Sequence, residues 1–250
     1  MKNALLPRQA QVLSRLTRAR TLLAFDFDGT LAPIVRGRQE AGMRPETCAL
    51  FSRLCQLFPT AVISGRARAD VATRLERAKV KYVVGNHGIE GGAGSQTRAN
   101  DLNEARERLT VLVAKTPGLE LEDKVLSLTL HYRRSRQPAA AQRAIMRVLG
   151  QLKRPLRAIG GKSVINVLPT DAPDKGDAII DLCTRSGAEV ALYVGDDVTD
   201  EDVFELHQPE RFICIRVGRS AASAADYFLN SQRDIDILLQ RLISLKQGAR

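Results

Sequence analysis

Apolar positions along this chain follow two rhythms, and the switch between them divides it. Five short runs are apolar with scarcely a break: Thr21 to Phe25, Thr60 to Ile63, Val80 to Val84, Glu189 to Val194 and Phe212 to Val217. Uninterrupted runs of this kind predict strands of a parallel sheet, buried on both faces. Among them lie stretches with apolar residues three and four apart, Arg44 to Phe58, Ala67 to Ala78 and Lys175 to Ser186, which predict helices. Strands alternating with helices imply an α/β core, a parallel sheet wrapped by helices.

The rhythm changes after the loop-like Gly91-Gly92-Ala93-Gly94. There follow a polar helix from about Asn100 to Lys115, a strand from Lys124 to Arg133, a helix from about Ala139 to Leu152 and a strand from Lys162 to Leu168. In the first of these strands Ser127, Thr129, His131 and Arg133 fall on one face, with Leu126, Leu128, Leu130 and Tyr132 on the other. That alternation predicts an antiparallel strand with one polar face. The pattern therefore predicts a smaller α+β unit, residues 92–169, inserted into a core made of residues 1–91 and 170–250.

Composition narrows the partners. The 250 residues carry a formal charge of +10, which favours anionic ligands. Nucleic acid fits poorly, because aromatic residues make up only 4% and no basic block is interleaved with them. A phosphorylated small molecule fits better. Cys48, Cys55, Cys183 and Cys214 show neither CxxC spacing nor a neighbouring His, so reduced thiols are expected rather than a zinc site. Residues 1–20 lack the apolar stretch of a secretory signal and no run reaches membrane-spanning length, so a cytoplasmic protein without membrane contact is expected.

Polar groups gather where the apolar runs end. Asp26-Phe27-Asp28 follows the first run, Ser64-Gly65-Arg66 the second, Gly85-Asn86-His87-Gly88 the third and Gly195-Asp196-Asp197 the fourth. Open α/β sheets place their sites beyond the carboxyl ends of such strands. Residues two apart leave an extended backbone on one side, so Asp26 and Asp28 can converge on one cation or substrate. Two acidic segments meeting across a sheet repel unless a hard divalent cation holds them. An oxygen-only donor set favours magnesium, with Asp26, Asp28 and Asp196 as the expected ligands.

The same residues suit phosphoryl transfer. Asp26 is the candidate nucleophile, forming an aspartyl phosphate. Asp28 is the candidate acid toward the leaving oxygen and then base toward water. Ser64 and the Gly65 N–H are placed to hold a phosphate oxygen, and Lys175 to neutralise nucleophile and phosphoryl group. Arg66 and His87 join Gly65 as candidate substrate contacts. Asp197 or Asp200 is expected to act on the metal through water or to position ligands, while Glu201 and Asp202 read as acids favoured at a helix start.

Taken in order, Asp26 to Leu31, Ser64-Gly65-Arg66, Lys175-Gly176 and Gly195-Asp196-Asp197 resemble the haloacid dehalogenase-like phosphatases. The resemblance implies magnesium-dependent aspartyl-phosphate chemistry on a Rossmann-like core with an inserted cap. Three further segments, Gly85 to Glu90, Lys124 to Arg133 and Gly195 to Phe204, are similar to the trehalose-6-phosphate phosphatase family, over about residues 20–220. That similarity implies hydrolysis of trehalose 6-phosphate in trehalose synthesis and coupling to a trehalose-6-phosphate synthase. It also implies a cap that recognises sugar hydroxyls, with Lys124 and Arg133 as substrate contacts. One segment departs: Asn166-Val167-Leu168-Pro169 stands where the family carries Glu and, two residues on, Lys or Arg. Asn166 remains a candidate sugar contact, with Lys162 on the same strand face. Another phosphorylated disaccharide or a glycosyl-polyol phosphate is the alternative substrate, and a non-catalytic sugar-phosphate or synthase-binding module the alternative outside enzymology.

Overall fold

The computed structural model describes residues 1–35, 37–75, 77–90, 99–161 and 163–248. The chain divides into two compact units, Met1–Gly88 with Asp174–Arg250, and Ile89–Pro173. The glycine-rich loop and the expected boundary near residue 92 lie outside the described residues, as does Lys162.

In the first unit the apolar runs become strands: Thr21–Phe25 (β2), Thr60–Ile63 (β3), Tyr82–Val84 (β4), Val190–Gly195 (β9) and Phe212–Val217 (β10). Two short strands at one edge, Lys2–Asn3 (β1) and Tyr227–Leu229 (β11), join them. Among the described residues these form a seven-stranded parallel sheet in the order β1-β11-β10-β9-β2-β3-β4. The two-residue period sends alternate side chains to opposite faces. Leu23, Phe25, Leu192, Val194 and Ile213 join one core with Phe51 of helix Pro45–Leu57 and Leu238 and Leu242 of helix Asp234–Gly248. Leu22, Ala24, Ala191, Tyr193 and Cys214 join the other with Ile179 and Leu182 of helix Lys175–Ser186. This last helix has the bounds its sequence predicts. It opens on a reciprocal cap between Asp174 and Asp177 and stops at Gly187, whose φ of 66° is left-handed. The helix expected over Ala67 to Ala78 is shorter, Arg68–Arg74.

In the second unit Glu120–Asp123 (β5), Leu128–His131 (β6), Leu156–Gly161 (β7) and Val164–Pro169 (β8) form an antiparallel sheet in the order β5-β6-β8-β7. Leu128, Leu130, Ile165 and Val167 share a core with Leu109 of helix Asn103–Ala114 and Ile145 of helix Pro138–Leu149. The strand expected over Lys124 to Arg133 is confined to its middle. Before it the chain makes a tight turn, with the Leu126 N–H donating to the Lys124 carbonyl at 2.8 Å around Val125 at φ 70°. Such a turn ends strand pairing on that side. Its polar side is also less open than the alternation predicts, since Ser127 and Thr129 are buried. No helix among the described residues is long and apolar enough to cross a membrane.

Candidate active site

Strand β2 lies between β9 and β3. From β2 the chain runs outward through β3 and β4, then returns to the other flank of β2 at β9, which makes the β2/β9 boundary the switch point of the sheet. Crevices at the carboxyl ends of such boundaries are where open α/β sheets bind ligands. Asp26 and Asp196 stand directly beyond β2 and β9. Gly29 turns the chain after Asp28 with φ 87°, and a Cβ built there would lie 2.2 Å from Asp196 Oδ2. Only a glycine lets this turn come so close to that carboxylate.

Asp26, Asp196 and Asp200 are all buried, and each brings an oxygen within 4.8 Å of the others. Lys175, buried at the first position of its helix, donates from Nζ to Asp26 Oδ1 at 3.0 Å and to Asp200 Oδ1 at 2.7 Å. Burial pushes the Asp26 carboxyl well above the usual carboxylate range; Lys175 pulls it back, while Asp200, Asp196 and Asp28 push it further up. Burial draws the Lys175 ammonium down, but Asp200 and Asp26 outweigh it and hold it above its ordinary value. The cluster thus carries more negative charge than one ammonium offsets, in a buried place, and the donors are all oxygen. Those are the terms a hard divalent cation satisfies.

Asp200 differs from its two neighbours. Its Oδ1 accepts from Lys175 and from the Tyr193 hydroxyl at 2.7 Å, and its Oδ2 accepts from the N–H groups of Asp196 and Asp197 at 2.7 and 2.8 Å. Four donors fill the lone-pair directions of a carboxylate, which leaves Asp200 to orient its surroundings and Asp26 and Asp196 as the acids of the trio that could hold a cation. Gly195 makes room for it, since a Cβ there would meet Asp200 Cγ at 2.2 Å.

Asp28, expected among the metal ligands, is outside this trio. Arg66 grips its carboxylate with two parallel bonds, Nε to Oδ2 at 2.6 Å and Nη2 to Oδ1 at 2.7 Å, and reaches Asp70 with Nη1 at 2.8 Å. Burial opposes the Arg66 charge, but these bonds to Asp28 and Asp70 outweigh it and raise its pKa. Ser64 is buried, and its hydroxyl accepts the Arg66 N–H at 3.2 Å. The loops after β3 and β4 are stapled together by the His87 N–H to the Ser64 carbonyl at 3.0 Å and the Asn86 N–H to the Arg66 carbonyl at 2.8 Å. The His87 ring lies so close over Gly65 that a Cβ there would meet Cε1 at 2.4 Å. Asp26, Lys175, Asp196 and Asp200 thus form one cluster, and Asp28, Ser64, Gly65, Arg66 and His87 another beside it at the same end of the sheet.

The remaining candidates belong to the second unit, where they are not gathered. Lys124 is buried in the turn four residues before β6, and Arg133 is exposed just past its far end. Asn166 is buried on β8, opposite Thr129, whose hydroxyl donates to Asn166 Oδ1 at 2.8 Å. Sequence reasoning missed Tyr193 and Asp70. The signal for Tyr193 was a hydroxyl within an otherwise apolar buried strand, which needs a partner; that for Asp70 was its position four residues after Arg66 at the start of a helix.

The sheet order, its switch point and the buried acids give a Rossmann-like α/β core of the haloacid dehalogenase-like kind. The trehalose-phosphatase family model matches residues 24–233, and the chain belongs to that family. It is 33% identical over 199 residues to the trehalose-phosphate phosphatase of Mycobacterium bovis, covering 74% of this chain and 51% of that protein. The chain thus spans about half the length of that curated relative. Among solved structures, the C-terminal domain of Candida albicans trehalose-6-phosphate phosphatase superimposes with a TM-score of 0.81 at 23% identity, over 98% of this chain and 99% of that one. The C-terminal domain of the Candida albicans trehalose synthase regulatory protein shares the fold at a TM-score of 0.68 and 14% identity, over 94% and 97% of the two chains.

Proposed function

We propose that this chain hydrolyses trehalose 6-phosphate to trehalose and phosphate through an aspartyl phosphate on Asp26, with Mg2+ held by Asp26 and Asp196. The observation that carries the reading is the buried Asp26 carboxylate, paired to Lys175 at 3.0 Å beside two further acids at the switch point of the sheet. A bound Mg2+ supplies charge neutralisation for the phosphoryl oxygens. Asp26 attacks phosphorus, and Lys175 stays charged beside it to stabilise the oxygens that gain charge. Ser64 and the Gly65 N–H hold a phosphoryl oxygen. Asp28 gives a proton to the leaving sugar oxygen and then takes one from the water that cleaves the intermediate. For that first step Arg66 must release Asp28, so the bidentate pair is the resting arrangement. Lys124, Arg133 and Asn166 carry sugar recognition in the second unit, with His87 and Arg66 on the phosphate side. Coupling to a trehalose-6-phosphate synthase and a cytoplasmic location belong to the same reading.

Asn166 favours a second substrate reading. Its Oδ1 accepts from Thr129, and the rest of its amide offers N–H donors where a carboxylate would offer only acceptors. Sites built to hydrogen-bond hydroxyls discriminate strongly, and a different phosphorylated disaccharide or glycosyl-polyol phosphate is the rival. Phosphate release over a panel of sugar phosphates, with Mg2+ and with chelator, tests both. Trehalose 6-phosphate is expected to be turned over fastest and only with Mg2+; turnover no faster than that of glucose 6-phosphate defeats the specificity.

A further inference from the structure

The loop that carries Asp196 is gripped from two sides. Asp200 takes its N–H groups, as described above. Arg216 takes its carbonyls: Nη2 donates to the Asp196 oxygen at 2.7 Å and Nη1 to the Asp197 oxygen at 3.3 Å. Arg216 lies on β10 opposite Gly195, so its side chain starts level with the end of β9. Glu201 anchors it, with Oε1 accepting from Nη1 at 2.7 Å. The other Glu201 oxygen accepts from the Ala224 N–H at 2.9 Å and the Ser223 hydroxyl at 3.2 Å. Both charged side chains are largely withdrawn from solvent, 16% and 18% exposed. Glu201, which read from sequence as a helix-start acid, thus spends its carboxylate on this bridge.

By charge alone the placement is unfavourable, because a guanidinium behind Asp196 repels a cation in front of it. By geometry it is well suited, because a planar, rigid fork bonded to two successive carbonyls fixes the peptide planes from which the Asp196 side chain projects. We propose that Arg216, anchored by Glu201, is a positioning residue of the cation site, holding the Asp196–Asp197 backbone so that the Asp196 carboxylate is presented to a divalent cation. The proposal rests on the reading that Asp26 and Asp196 hold that cation. Groups that orient metal ligands from behind typically account for about 10- to 100-fold in affinity.

Charge and geometry predict opposite signs, and this makes the test decisive. Mg2+ is titrated calorimetrically into the metal-free full chain as wild type, Arg216→Met, Glu201→Gln and Arg15→Met, with circular dichroism establishing that each is folded. Arg15 pairs with Glu210 at the surface and serves as the control for loss of a positive charge. Binding is expected to weaken about 10- to 100-fold in Arg216→Met and several-fold in Glu201→Gln, which keeps the arginine charge, and to be unchanged in Arg15→Met. Wild-type or tighter binding in both Arg216→Met and Glu201→Gln overturns the proposal. If Arg216→Met does not fold, Arg216→Lys, which keeps the charge but lacks the fork, decides by the same criterion. A wild type that takes up no Mg2+ removes the cation itself, a result distinct from equal binding by wild type and variants.

Discussion

Lys175 breaks two rules that lysines obey. It is 2% exposed, and it stands at the first position of a helix, where the dipole disfavours positive charge. Asp26 and Asp200 at 3.0 and 2.7 Å make the position tenable, and a side chain held against local preference in this way marks a working site. Gly29 is a second such residue. Gly29→Ala places a methyl group against the Asp196 carboxylate at a left-handed φ, and phosphate release is expected to fall about 100-fold while circular dichroism stays native. Asp70 gives a prediction about pH. Burial alone raises its pKa, but the bonds from Arg66 and Arg74 outweigh burial and hold it below the ordinary 3.8. A carboxyl whose folded value is depressed contributes stability that is present above its unfolded value and lost as pH falls through the folded one. Urea unfolding should show Asp70→Asn less stable by about 1 kcal/mol near neutral pH, with the difference shrinking as pH falls below the ordinary 3.8.

Among the elements, the helix Lys175–Ser186 was fully legible because its start and stop are written in local chemistry, Asp174 with Asp177 and then Gly187. Asp174→Ala removes the acceptor for the Asp177 N–H at 2.9 Å and is expected to lower stability by about 1 kcal/mol, with Asp174→Gly costing only a few tenths. Thermal denaturation of the two variants checks the order. The strands β2 and β3 were equally legible, since both are buried throughout and carry a polar side chain only at their first position, Thr21 and Thr60; in β10 the one break in the apolar run is Arg216, next to its end. Strands β1 and β11 were not, because two or three residues at a sheet edge carry too little pattern to stand out from a loop. The strand around β6 was read too long for a different reason: alternation persists through residues 124–127 while the backbone already turns at Val125. For the site, the aspartates, Ser64 and Lys175 were visible because each follows an apolar run or opens a helix. The arrangement behind them was not. That Asp200 orients while Asp28 is held by Arg66 depends on which residues meet across strands, which linear spacing does not encode.

For the molecule as a whole, the acidic centre sets stability against function. Asp26, Asp196 and Asp200 crowd around one ammonium, so a cation that binds only the folded state should stabilise it. At about a hundred times its dissociation constant the gain is about 2.7 kcal/mol, or an upward shift in melting temperature on the order of 5–10 °C for a chain of this size. Scanning calorimetry with Mg2+ and then with chelator should show the shift appear and reverse. Asp26→Asn should lose both the shift and turnover, while melting higher than wild type without metal because one crowded charge is gone.

The neighbours of β2 also fix when this centre can exist. Its partner β9 is Val190–Gly195, and residues 89–173 are made between the two. On the ribosome, therefore, β2 waits with a bare edge for on the order of ten seconds or more, at ordinary elongation rates of about 5–20 residues per second. The intervening segment closes on itself through contacts within its own span and can fold first. A nascent chain that ends before residue 190 therefore holds Asp26 without Asp196, and the two acids come together only once β9 is seated beside β2.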